Sequence, residues 1–117
     1  MKNEVGWMAI TRAENIPLRE GRAVMVDGEE LAIFHLPDRY ATIANRCPHK
    51  GGPLCDGIVS GSAVVCPLHG RRFDLDSGMA VRASEPSGVA TFPTRVEDGI
   101  VFVNLGGARN NQEEAAA

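Results

Sequence analysis

The feature that most constrains this chain is a pair of short Cys/His segments that must meet in space to act together. Cys47 and His49 form a Cys-x-His segment, and after sixteen intervening residues Cys66 and His69 form a Cys-x-x-His segment. Two thiols and two imidazoles make a four-ligand set that suits zinc or iron–sulfur chemistry. These segments hold two of the three cysteines and two of the three histidines, so chance placement of two buried thiols and two surface histidines is disfavoured.

The length and composition favour one small domain rich in turns. A chain of 117 residues is long enough to bury a modest core in a single domain. Its apolar fraction of 44% and charged fraction of 23% are ordinary for a globular protein. Thirteen glycines and seven prolines, with only 5% aromatic residues, favour a β-rich architecture over a helical one.

Short runs of β-branched and aromatic residues predict eight strands separated by turn signals. The predicted strands are Trp7–Ile10, Ala23–Val26, Leu31–His35, Ala41–Ala44, Ala63–Val65, Arg72–Leu75, Val89–Phe92 and Ile100–Asn104. The dipeptides Asp27-Gly28 and Asp98-Gly99 predict tight hairpins, because glycine accepts the positive φ that such turns require. The stretch from Arg46 to Gly61 has little strand character, and an irregular segment of this length in a small domain is usually functional or disordered.

Several functional classes are disfavoured by charge and hydropathy. The net charge of −3 without a basic run argues against nucleic-acid binding. The sequence has no apolar stretch long enough to span a membrane and no apolar signal-peptide core, so a cytoplasmic location is expected. An odd number of cysteines suits a disulfide framework poorly.

The spacing of the four ligands resembles one family in particular. Structural zinc sites usually separate paired ligands by two to five residues, and Cys-x-His is tighter than that, although a structural zinc-binding module remains an alternative. Cys-x-His followed by Cys-x-x-His is the ligand motif of the Rieske 2Fe–2S proteins, and the chain resembles them from about Trp7 to Leu105.

The resemblance implies an all-β fold: a Rieske-type antiparallel β-sandwich or barrel with an inserted cluster-binding subdomain of two loops. The expected domain covers residues 1–105, the subdomain about residues 45–75, and residues 106–117 are expected to form a flexible tail.

The resemblance also implies a role for each ligand. Cys47 and Cys66 would bind one iron, which lies inward, and His49 and His69 would bind the other iron near the surface. In this arrangement the backbone at Gly51, Gly52 and Gly70 passes close to the cluster. The surface around the histidines, where a redox partner would dock, is expected to consist of Pro48, Lys50, Leu68 and Gly70.

The sequence also carries indications of the reduction potential. High-potential Rieske proteins have a further cysteine between the second Cys and His of the motif, which forms a disulfide. Leu68 and a preceding proline fill that interval here, so the bridge cannot form and a potential near the low end of the Rieske range, about −150 to +300 mV, is expected.

The residues that flank the predicted ligands are similar to those in the small subunit of assimilatory NAD(P)H-dependent nitrite reductase. The string from Lys50 to Leu54 (KGGPL) and the string from Val65 to Gly70 (VCPLHG) carry this similarity. It implies a large partner subunit with flavin and siroheme, and electron transfer without substrate chemistry in this chain. The alternative is a free-standing ferredoxin that supplies electrons to an aromatic-ring-hydroxylating oxygenase together with its reductase.

The remaining cysteine and histidine are interpreted as structural. Cys55 lies six residues after His49 and is expected to be a small packed thiol rather than a redox group. His35 lies inside a predicted strand and is expected to be packed or solvated.

Overall fold

The computed structural model describes residues 6–47, 52–68, 70–81 and 87–108, and within them it is built almost entirely of β-strands. The helices of these residues are three-residue 3-10 turns at Ala13–Asn15, Leu54–Asp56 and Leu105–Gly107, and none could span a membrane. The strands are β1 (Trp7–Arg12), β2 (Gly21–Val26), β3 (Glu29–Leu36), β4 (Arg39–Ala44), β5 (Ile58–Ser60), β6 (Ala63–Val65), β7 (Arg72–Asp74), β8 (Thr91–Phe92), β9 (Thr94–Glu97) and β10 (Ile100–Asn104).

The strands of the described residues form three antiparallel sheets. The first has the order β1-β10-β9, the second β2-β3-β4-β8 and the third β5-β6-β7. The expected hairpins are present: the turns β2–β3 and β9–β10 have positive φ at both Asp27 and Gly28, and at both Asp98 and Gly99. The predicted all-β class is therefore confirmed.

Strand β3 separates two hydrophobic cores, because its side chains alternate between the two faces of the second sheet. Leu31 and Ile33 pack with Val101 and other residues of the first sheet, which makes the core of the sandwich. Ala32, Phe34 and Leu36 point to the opposite face and join a second core. This second core connects the sandwich to the third sheet.

The third sheet lies in an insertion between β4 and β8, and this insertion as a whole, loops included, contributes seven of the twelve described residues that are buried in the second core. Val64 and Phe73 are fully buried and pack in the same cluster as Phe34 of β3. Burial of a large side chain such as Phe73 contributes about 1.5–3 kcal/mol. Both Cys47 and Cys66 belong to this hydrophobic core, so the two predicted cysteine ligands are buried in the same core as the inserted sheet.

Two strands were not predicted. Ile58–Ser60 lies inside the segment judged irregular, yet it pairs with Ala63–Val65 across a turn in which Gly61 has φ 62. Thr94–Glu97 shows no clear apolar alternation, and it forms because the hairpin at Asp98-Gly99 aligns it with β10. Cross-strand pairing determines Thr94–Glu97, and in Ile58–Ser60 it acts together with the strand preference of the β-branched Ile58 and Val59.

Most of the predicted strands also change by one or two residues at an end. The run Val89–Phe92 is a strand only at Thr91–Phe92. Gly106 and Gly107, assigned to the tail by the sequence, belong to a 3-10 turn in which the Asn104 side chain accepts a hydrogen bond from the Gly107 N–H, at 3.1 Å. Residues 109–117 lie outside the described residues.

Candidate metal centre

The first ligand loop leaves the end of β4 and is closed by backbone pairing at its base. Arg46 and Pro53 form an isolated antiparallel bridge, and the Cys47 N–H donates to the Gly52 carbonyl at 2.9 Å. Cys47 is 2% exposed. The loop therefore holds its cysteine at the base, inside the core. His49 lies within residues 48–51, outside the described residues.

The second ligand loop connects β6 to β7 and is closed in a similar way. The Cys66 N–H donates to the Arg71 carbonyl at 2.7 Å, and the Gly70 N–H donates to the Cys66 carbonyl at 3.0 Å. Gly70 has φ 74, a conformation that glycine adopts without steric cost. Cys66 is 1% exposed, so this loop also keeps its cysteine at a buried base. His69 lies outside the described residues.

The two loops face one another at Gly52. A Cβ atom on Gly52 would lie 3.3 Å from Sγ of Cys66 and 2.8 Å from Cγ of Leu68. A side chain at this position would have to displace the Leu68 side chain and to move Sγ of Cys66 by a few tenths of an ångström. The backbone at Gly52 thus passes close to the Cys66 thiol, whereas a Cβ on Gly70 would meet no atom within 4 Å and Gly51 lies outside the described residues.

The arrangement fits a cluster held between two loops. Two buried thiols from separate loops lie in one apolar core, and soft thiolates are the protein ligands that iron–sulfur clusters use. The residues that the structure describes contain no group of three or more possible metal ligands, and both predicted histidine ligands lie outside them. Cys47 and Cys66 are the two described members of the predicted ligand set.

Cys55 has a different environment from the two predicted ligands. It is half-buried in the 3-10 turn Leu54–Asp56, and its Sγ lies 3.7 Å from a carboxylate oxygen of Asp56. Burial raises the pKa of the Cys55 thiol, helped by the negative charges of Asp56 and Glu30 and opposed by a hydrogen bond involving Asn45. This environment favours a neutral packed thiol, as the sequence suggested.

His35 is packed rather than part of the centre. Its ring stacks on Tyr40 with the ring centroids 4.2 Å apart, and Nδ1 lies 2.8 Å from the Ile16 carbonyl oxygen. These contacts join β3 to the segment that precedes β2. The sequence interpretation of His35 as a structural residue agrees with this position.

A bidentate ion pair between Arg39 of the sandwich and Asp76 of the insertion, here called the Arg39–Asp76 clamp, was not predicted. The Arg39 guanidinium donates from Nε to Oδ1 of Asp76 at 3.0 Å and from Nη2 to Oδ2 at 2.6 Å. The hydrogen bond to Asp76 is the main reason why the pKa of Arg39 is raised. The residues are 37 positions apart, so no local sequence signal could reveal the pair.

Asn45 was also missed, although it lies two residues before Cys47. Its side chain is 2% exposed and bonds to Glu30 and to the backbone of Cys55. In the sequence it looks like an ordinary turn residue after β4. Only the packing of the first loop against β3 reveals its contacts.

Comparison with known proteins identifies the family. The model of the Rieske-like [2Fe-2S] domain matches residues 6–104. The ferredoxin component of the naphthalene 1,2-dioxygenase system of Pseudomonas aeruginosa is 30% identical over 85% of this chain and 95% of its own length. The ferredoxin subunit of the 3-phenylpropionate/cinnamic acid dioxygenase of Escherichia coli (strain K12) is 32% identical over 74% of this chain and 83% of its own length.

A solved structure gives a further similarity. A protein of Mycobacterium tuberculosis assigned as an NADH-dependent nitrite reductase small subunit superposes with a TM-score of 0.77 at 26% identity, over 92% of this chain and 97% of that one. The family match supports the iron–sulfur interpretation of the ligand set over the zinc alternative. The chain is a Rieske electron-transfer domain: it belongs to the Rieske-like [2Fe-2S] domain family, and its cofactor is a Rieske-type 2Fe–2S cluster.

Proposed function

We propose that Cys47, His49, Cys66 and His69 bind the cluster and that the chain passes single electrons to an oxidoreductase partner. The observation that carries this proposal is the contact of the two loops, in which Gly52 lies against Cys66. Each loop begins with a buried cysteine, and the sequence supplies a histidine two or three residues further along each loop. In this assignment both cysteines bind the inner iron and both histidines bind the outer iron.

The bound cluster would supply reversible one-electron chemistry, at a potential raised above that of four-cysteine clusters by its two neutral imidazole ligands. The chain's own contribution is to exclude water from the thiols and to hold the loops in place. Cys47 and Cys66 are almost fully buried, and hydrogen bonds close both loops at their bases. A loop held in this way limits rearrangement when the charge of the centre changes.

We place the potential near the low end of the Rieske range. Neither Cys55 nor Cys66 forms a disulfide, and Leu68 lies where high-potential members carry a bridging cysteine. Gly70 and Arg71 follow His69 where high-potential members carry a hydroxyl that donates to a cluster sulfur, so the added electron is less stabilised here.

We assign the electron exit to the surface around the histidines. Leu68 is 52% exposed and Gly70 is also exposed. Together with Pro48 and Lys50, which lie outside the described residues, they would form a small, mainly apolar docking surface with one positive charge.

For the partner we propose the large subunit of an NAD(P)H-dependent nitrite reductase, with flavin and siroheme, which reduces nitrite to ammonium. The sequence from Lys50 to Leu54 supports this choice, as does the similarity to the M. tuberculosis protein over nearly the full length of both chains. A partner that uses NAD(P)H would work in the cytoplasm.

A second candidate is the ferredoxin of an aromatic-ring-hydroxylating dioxygenase. The similarity to the naphthalene dioxygenase ferredoxin, at 30% identity over almost its whole length, favours it. Both candidates use the same cluster and differ in the enzyme that receives the electron.

A deletion strain of the source organism separates the two candidates. Loss of the gene should abolish growth on nitrite as sole nitrogen source and leave growth on ammonium unchanged. Complementation with the wild-type gene should restore growth, whereas Cys66→Ser should not. Normal growth on nitrite, with loss of growth on an aromatic carbon source, would overturn the nitrite reductase assignment in favour of the second candidate.

A further inference from the structure

Asn45 is a buried polar residue at the entry to the first ligand loop. Among the described residues, only Thr42 and Asn45 are buried polar or charged side chains. Asn45 follows the last residue of β4 and precedes Cys47 by two positions. Burial of an amide is unfavourable unless its hydrogen bonds are formed, so the fold must supply hydrogen-bond partners for the Asn45 side chain.

Every polar group of Asn45 has a hydrogen-bond partner. The side-chain Nδ2 donates to Oε2 of Glu30 at 2.8 Å, and Oδ1 accepts from the Cys55 N–H at 2.7 Å. The backbone N–H donates to the Glu30 carbonyl at 3.1 Å, and the backbone carbonyl accepts from the Leu54 N–H at 2.8 Å. Asn45 therefore joins the start of β3, the end of β4 and the segment that leaves the loop.

The side chain supplies a connection that backbone pairing cannot make. The chain leaving the loop pairs with the entering chain at Pro53, and then turns into the 3-10 helix Leu54–Asp56. The Cys55 N–H consequently has no β-ladder partner, and the Asn45 amide oxygen accepts its hydrogen bond. The Glu30 carboxylate accepts from the other end of the amide, which fixes the orientation with Oδ1 toward Cys55.

We propose that Asn45 is the positioning residue of the first cluster-binding loop, with Glu30 as the group that orients it. Its hydrogen bonds fix the two ends of the first loop relative to each other and to β3, and so fix the position of Cys47 at the base of that loop. The inference rests on the proposed role of Cys47 as a ligand. Asn45 touches neither cluster nor substrate, and it acts through the loop.

The test compares the reconstituted wild-type protein with two variants. Asn45→Ala removes both side-chain hydrogen bonds. Asn45→Asp keeps an acceptor for the Cys55 N–H but places a second carboxyl group, instead of an N–H donor, beside Glu30. Asn15→Ala is the matched control, because Asn15 also makes a side-chain hydrogen bond, to Thr11, but in an exposed turn. Three quantities are measured: the EPR line widths of the reduced cluster, the half-life of its visible absorbance with an iron chelator, and the urea unfolding of the apoprotein.

Asn45→Ala should broaden the EPR lines and shorten the half-life of the 2Fe–2S cluster about fivefold, because the hydrogen bonds that hold the loop are lost. Asn45→Asp should broaden the EPR lines to a smaller extent. Asn15→Ala should match the wild type. Unchanged line widths and half-life in Asn45→Ala, with only the urea midpoint lowered, would overturn the proposal, because the residue would then be purely structural. If Asn45→Ala does not fold, Asn45→Asp with wild-type line widths overturns it equally.

A Cys47→Ser variant separates failure of this inference from failure of the ligand assignment. Loss of the 2Fe–2S spectrum in Cys47→Ser supports the ligand assignment on which the inference stands. A wild-type spectrum in that variant would refute both the assignment and the inference.

Discussion

A Cβ atom on Gly52 would lie only 3.3 Å from Sγ of Cys66, so the backbone of one ligand loop passes close to the thiol of the other. Gly52 does not have a positive φ, and the cost of a side chain at this position is therefore steric. The contact defines the space between the loops, and it predicts the effect of a single added methyl group.

Gly52→Ala should weaken cluster binding more than it destabilises the fold. The new methyl group would press on the Leu68 side chain, which is exposed and can move, and on Sγ of Cys66, which is buried. We expect the half-life of the visible absorbance with an iron chelator to fall severalfold. Gly106→Ala is the control, because the nearest atom there lies at 3.4 Å in an exposed turn; equal half-lives in the two variants would contradict the proposed contact.

The Arg39–Asp76 clamp should stabilise the attachment of the inserted sheet. Asp76→Asn removes the charge of a bidentate pair, but the side chains are 34% and 59% exposed, so solvent screening limits the loss of unfolding free energy to about 1 kcal/mol or less. Urea unfolding measures the change. Glu14→Gln is the control, because the Arg12–Glu14 pair is longer, at 3.4 Å, and more exposed; an equal or larger loss in the control would refute the clamp.

The raised pKa of Cys55 should make this thiol slow to react. In the folded holoprotein at pH 8, alkylation of Cys55 mapped by mass spectrometry should be slower than in the urea-unfolded chain, because burial disfavours the thiolate. Asp56→Asn should accelerate the reaction, since Asp56 contributes to the raised pKa. Alkylation at the same rate in the folded and unfolded chains would contradict this environment.

The same shift predicts a dependence of stability on alkaline pH. Since the pKa of Cys55 is higher in the folded state, the unfolded chain loses this proton first, and folding is penalised as the pH rises above the ordinary thiol pKa of 9.0. Below that pH the contribution is fully present, and it is lost as the pH approaches the folded-state pKa. The Cys55→Ala variant should therefore lose less unfolding free energy than the wild type between pH 8 and pH 10.5, and parallel profiles would refute the shift.

The sequence anticipated those features that depend on local chemistry. The Asp-Gly pairs at 27–28 and 98–99 predicted their hairpins because only a few residue types accept two successive positive φ values. The Cys-x-His and Cys-x-x-His spacing predicted a Rieske-type 2Fe–2S cofactor, which the family match confirms, and the individual ligands remain predictions. Each Asp-Gly pair and each Cys/His segment consists of residues that are close together in the sequence.

Features that depend on tertiary pairing were not visible. Strand Ile58–Ser60 exists because it aligns with Ala63–Val65. Asn45 looks like a turn residue until Glu30 and Cys55 are brought to it by the fold.

His69→Cys should retain a 2Fe–2S cluster and lower its midpoint potential. Replacing a neutral imidazole with a thiolate makes the cluster more negative, so the potential should move toward the value of about −400 mV of plant-type four-cysteine clusters. Redox titration followed by EPR measures the change. His35→Asn is the control, because His35 is packed against Tyr40 and takes no part in the ligand set; an unchanged potential in His69→Cys would refute His69 as a ligand.

The most direct test of the central claim is a measurement of nitrogen coupling to the reduced cluster. The protein is reconstituted after labelling its histidines with 15N, reduced, and examined by electron–nuclear double resonance, with His49→Ala and His69→Ala as comparison variants. The proposed ligand set predicts a brown protein whose spectrum shows two strongly coupled imidazole nitrogens, which are disturbed in both variants. A colourless protein with stoichiometric zinc, or a reduced cluster without nitrogen coupling, would contradict the claim that Cys47, His49, Cys66 and His69 bind a Rieske 2Fe–2S cluster.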